Sequence, residues 1–85
     1  MLLLARVSPT VFRAGDLRFF FFSREEARLH VHVECTLGEA GIWIEPRVEP
    51  ARNHGLPPAT LNRALRLVRN HEATIREAWR AHFGA

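Results

Sequence analysis

The sequence predicts an α+β fold: a four-stranded antiparallel β-meander packed on one face by a long C-terminal amphipathic helix. Three observations predict it. Short β-favouring runs separated by turn residues fill residues 10–45. Within them, residues 29–35 alternate strictly between apolar and polar side chains. Over residues 57–83 the period changes to that of a helix, opened by Pro57-Pro58 and stopped by Gly84.

The first strand is Thr10–Ala14. Gly15-Asp16 follows as a tight turn, since glycine accepts the positive φ that hairpin turns need. Residues 17–22 form the second strand and include four consecutive phenylalanines, Phe19 to Phe22. Four consecutive phenylalanines read first as core on both sides of the strand; since successive side chains on a strand point to opposite faces, the alternative leaves one pair on the sheet's second face with Trp43. Residues 23–28 read as a polar loop. In the third strand, residues 29–35, Leu29, Val31, Val33 and Cys35 share one face, while His30, His32 and Glu34 share the other. A two-residue turn at Leu37-Gly38 leads into the fourth strand, residues 39–45. That turn pairs Val33 with Ile42, Val31 with Ile44 and His32 with Trp43, whereas a slip of one residue would set isoleucine beside histidine. Pro46 ends the strand. Residues 49–53 read as one short helical turn closed by Gly55.

In the helix, residues 57–83, Leu61, Ala64, Leu65, Val68, Ile75, Ala78, Trp79 and Phe83 fall on one stripe, which must pack on the sheet. Helix propensity weakens near Asn70 to Ala73, so a kink is expected near residue 71. Arg63, Arg66, Arg69, Arg76 and Arg80 occupy the opposite arc.

The 85 residues suffice for one domain, with residues 1–7 expected to be peripheral to it. A hydrophobic content of 47% permits a core, but a small one with a thin stability margin, which makes a partner or self-association an expectation. All 12 basic residues are arginine, and the net charge of +3 permits nucleic-acid binding without arguing strongly for it. The single Cys35 excludes an intramolecular disulfide and hence a disulfide-stapled secreted domain. The apolar start is too short for a signal-peptide core or a bilayer span, so a cytoplasmic protein with no membrane contact is expected.

His30-x-His32 is the sharpest chemical feature. Strand geometry sets the two imidazoles on one face, about 6.5 to 7 Å apart, close enough to share a metal such as zinc or to work as acid and base. Glu34, Glu39, Glu45, His54 and His71 are candidates to complete such a site. The plainer reading makes the histidines the polar side of an amphipathic strand. With Glu34, Glu39, Trp43, Glu45, Phe20 and Phe22 they would then form a binding surface. The helix arginines could follow phosphates, or be a solvated face in which Glu72 and Glu77 make pairs four residues apart. There is no phosphate-cradling glycine loop, nucleophile elbow or His-Glu-x-x-His helix, which weighs against an enzyme and against a resident cofactor.

Pro9 to Arg13, Arg18 to Ser23, His30-Val31-His32-Val33-Glu34, Gly38-Glu39-Ala40 with Trp43 and Pro46, and Glu77-Ala78-Trp79 together resemble the bacterial domain-of-unknown-function family four-one-six-zero. This chain departs from the family pattern in having Arg28-Leu29, where a Pro-Pro pair usually precedes the first histidine. The resemblance implies a small bacterial protein, often encoded beside a second small protein in pairs of toxin–antitoxin type. It therefore implies a protein-binding module whose partner is that neighbour or a second copy. The alternatives are a small nuclease or metal-dependent hydrolase using His30 and His32, and nucleic-acid binding through the helix arginines.

Overall fold

The computed structural model describes residues 9–22 and 28–84; the segment 1–7 expected to be peripheral and most of the loop 23–28 lie outside them. The chain forms β1 (Thr10–Ala14), β2 (Leu17–Phe20), β3 (His30–Cys35), β4 (Gly38–Trp43), β5 (Glu49–His54), α1 (Pro58–Asn70) and α2 (Glu72–Phe83). All strand pairings are antiparallel, and the sheet runs β1-β2-β3-β4-β5 in chain order. The fold class is thus the α+β meander with C-terminal helical cover. Ala14 pairs with Leu17 across Gly15-Asp16, with Gly15 at φ 61°, as the tight turn requires.

Three expectations are corrected. The sheet has five strands, not four, because residues 49–53 extend into β5 instead of forming a helical turn. β5 is an edge strand, largely exposed, with no apolar alternation; its ladder to β4 holds it in place. Pro50 is tolerated there because it sits on the edge, beside an irregularity where the pairing jumps from Gly41↔Arg52 to Ile42↔Pro50.

The β3–β4 turn is Thr36-Leu37 rather than Leu37-Gly38, so every predicted pair moves by two residues: Val31 faces Ile42, Val33 faces Ala40 and His30 faces Trp43. A two-residue move preserves the face of each side chain, so the division of β3 into two faces stands. Gly38 is needed elsewhere. A Cβ on it would lie 2.3 Å from the carbonyl oxygen of His54 and 2.9 Å from the carbonyl carbon of Gly55, where the hairpin tip crosses the end of β5.

The predicted long helix is two helices that break at the expected place. His71 leaves helical geometry at φ −113°, ψ 21°. Its backbone N–H donates to the carbonyls of both Leu67 and Val68, and its ring Nδ1 donates to Leu67 O at 2.8 Å. The ring is also stacked on Phe12 at 4.2 Å. These side-chain contacts compete with the helical ladder and turn the chain. Ile75 N donates to His71 O, so the apolar stripe resumes on the same side. Gly84 closes α2 at φ 72° with its N–H on Arg80 O.

One core lies between the helices and one face of the sheet. Leu17, Phe19, Phe21, Val31, Val33, Ile42 and Ile44 meet Ala64, Leu65, Val68, Ile75 and Trp79, with Leu56 closing the end. Phe19 and Phe21 are thus the core pair, and Phe20 and Phe22 belong to the second face. No helix among the described residues is long and apolar enough to cross a membrane.

Candidate functional site

The second face brings the predicted His–aromatic group together. β2 supplies Phe20, with Phe22 just beyond it; β3 supplies His30 and His32; β4 supplies Trp43. The two imidazoles meet edge to face at 5.1 Å between centroids. Phe22 lies edge-on to His32 at 4.4 Å, Phe20 stacks on His32 at 5.5 Å, and Phe20 meets Phe22 at 5.4 Å. At the other end of the group, Trp43 and Trp79 each approach His30 edge to face at 5.5 Å. These are the offset and edge-on arrangements that aromatic quadrupoles favour.

Both histidines are buried, His30 to 6% and His32 to 4% exposure, as is Phe20, whereas Phe22 is 38% exposed. His30 Nδ1 donates to Arg28 O at 2.7 Å, so Nδ1 carries a proton. Acid–base chemistry needs a ring nitrogen within reach of a substrate, and metal binding needs further ligands. Among the described residues, no three His, Cys, Asp or Glu side chains converge as a metal site would require. Among the described residues, the imidazoles pack against the rings of an aromatic layer.

Two cations frame this layer. Arg28 lies over the Trp43 ring at 3.8 Å, donates to Glu45 O at 2.9 Å and approaches Glu49 at 3.8 Å. Arg18 lies over Phe20 at 4.5 Å, donates from Nε to the Thr10 hydroxyl at 2.7 Å and pairs with Glu34 at 2.8 Å. Sequence reasoning missed both. Arg18 had a signal, because it shares the parity of Phe20 and Phe22 on β2. Arg28 had none under the slipped register, which set Glu45 opposite His30 and so left nothing across from residue 28.

The remaining candidates scatter. His71 stacks on Phe12, on the helix-facing side, away from the pair. Glu45 is bonded by Arg76, which also pairs with Glu72 at 2.9 Å; these two carboxylates, Glu45 first, raise the Arg76 pKa further. Glu34 and Glu39 face each other at the hairpin end, with His54 opposite Glu39 on β5. A shallow cleft of about 460 Å³ lies there, and a second of about 590 Å³ lies between Arg13, Arg18 and Glu34; neither is lined by His30 or His32. Of the helix arginines, Arg63 pairs with Asp16 at 2.8 Å, while Arg66, Arg69 and Arg80 are exposed. Hydrogen bonding from Arg63 is the main cause that holds the Asp16 carboxyl below its ordinary pKa, followed by a hydrogen bond that the carboxylate accepts from its own backbone N–H.

No curated protein and no solved structure matches the chain. The model of one family, described as Domain of unknown function (DUF4160), matches residues 17–80, from the start of β2 to near the end of α2. That stretch carries both the helix-covered core and the His–aromatic layer, and the chain belongs to this family.

Proposed function

We propose that the domain is a small protein-binding module, one half of a toxin–antitoxin-like pair, that docks the neighbouring small protein on the second face of its sheet. The observation that carries this reading is the exposed Phe22 ring, set edge-on to His32 and Phe20 in a layer that continues to His30, Trp43 and Arg28. Aromatic side chains backed by a rigid buried layer and flanked by arginine have the composition of interface anchors. Phe22 would fill an apolar pocket of the partner, and the Arg28–Trp43 stack would form part of the rim. The burial of His30 and His32 favours this role over hydrolysis at the same pair. The encoding of such proteins beside a second small protein, implied by the family, names the occupant.

The test is co-expression with the product of the adjacent gene, with mass measured by light scattering after size exclusion. A stable complex is expected, and Phe22→Asp should weaken it at least tenfold, about 1.4 kcal/mol, while leaving the fold intact. A strictly monomeric protein that forms no complex sinks the proposal. A homodimer built on this face that excludes the neighbour overturns the heteromeric reading.

A further inference from the structure

The outer face of the helical layer, opposite the aromatic layer, has a different charge balance. Asp16 pairs with Arg63, and Glu45 and Glu72 pair with Arg76, so the flanks of the layer are neutralised. Arg66, Arg69 and Arg80 are exposed and have no ion-pair partner among the described residues. At 100° per residue within each helix, Asn62, Arg66 and Arg69 share one side of α1 and Ala73, Glu77 and Arg80 one side of α2, and all six are exposed, so they form one line along the helical layer. The break at His71 does not interrupt this line, because Ile75 and Trp79 return the apolar side of α2 to the core. Along this line Glu77 is the single carboxylate between Arg66 and Arg80.

We infer that this line binds the phosphate backbone of duplex nucleic acid without reading its sequence. Charge complementarity selects a polyanion, since three uncompensated guanidiniums face one carboxylate. The side chains beside them select the class of polyanion. The line contains no aromatic ring on which unpaired bases could stack, which disfavours single strands. Its apolar members are only alanine, too small to insert into a lipid surface or to anchor a protein interface. What remains is a regular array of phosphates contacted from outside.

The test is fluorescence anisotropy with a labelled duplex of about 20 base pairs between about 50 and 200 mM NaCl. Three phosphate contacts predict a slope of log affinity against log salt of about −2.7, which is a loss of about 40-fold over that range. The triple variant Arg66→Gln, Arg69→Gln, Arg80→Gln should remove this dependence, with its fold confirmed by circular dichroism. Glu77→Gln should tighten binding by about twofold, because it deletes the one opposing charge. Absence of binding at the lowest salt overturns the inference, and so does wild-type affinity in either variant. The triple variant should still bind the neighbouring protein and Phe22→Asp should still bind duplex, so failure of one reading is distinguishable from failure of the other.

Discussion

The two sides of β3 are buried to nearly the same depth by different means. Val31 and Val33 are 0% exposed beneath the helices, and His30 and His32 are 6% and 4% exposed among aromatic rings. On the helix side, burial follows from removing apolar surface from water. On the other side, flat imidazoles present ring edges and faces to Phe20, Phe22 and Trp43, and His30 also meets Trp79 of the helical layer. Polarity along a strand therefore states which side chains share a face, and leaves open how deeply that face is covered.

The comparison can be broken from either side. Phe19 is fully buried and stacked on Phe12 at 4.3 Å in the helix-covered core. Phe19→Ala should cost about 3–5 kcal/mol, seen as a lower denaturation midpoint with an unchanged slope. His32→Ala removes a ring of similar burial from the second face, but there the exposed Phe22 ring has room to settle into the space. A smaller loss of about 2 kcal/mol is expected in the same titration. Equal losses would show that both faces are built as one kind of core.

The smallest effect lies at the rim, where Arg63 holds the Asp16 carboxyl below its ordinary pKa of about 3.9. A carboxylate with a lowered folded-state pKa contributes stability that is present above the unfolded value and lost as pH falls through the folded one. Asp16→Asn should therefore lower stability slightly near neutral pH and flatten its decline below about pH 4, so that variant and wild type converge in acid, measured by thermal melts across pH.

Much of the fold was legible because parity and period carry it. Gly15-Asp16 set the first turn, the alternation of β3 set its faces, and the stripe from Leu61 to Phe83 identified the helical layer. The weak propensity near Asn70 located the break, while the cause, His71 bonding Leu67 and stacking on Phe12, needed the fold. β5 was hidden because Glu49–His54 has no apolar alternation and is held by its ladder to β4. The two-residue move in the β3–β4 pairing was invisible for a related reason: it exchanges partners without exchanging faces. Of the candidate site, the grouping of His30 and His32 with Phe20, Phe22 and Trp43 was readable. Arg18 was within reach of the same parity reasoning, whereas the stacking of Arg28 was not, because it meets Trp43 and Glu45 only in the true register.

The crossing of Gly38 and Gly55 has a consequence for any remodelling of this chain. A hairpin tip is ordinarily where a protein accepts extra residues or a label. Here the Leu37 carbonyl oxygen lies 2.9 Å from where a Gly55 Cβ would stand, and Gly55 leads directly to Leu56 and the start of α1. The Thr36-Leu37 tip therefore acts as a buttress for the helix entrance, and an insertion there would be felt at the far end of the core. The open tip at Gly15, where a Cβ would meet nothing within 4 Å, is the place to graft a reporter.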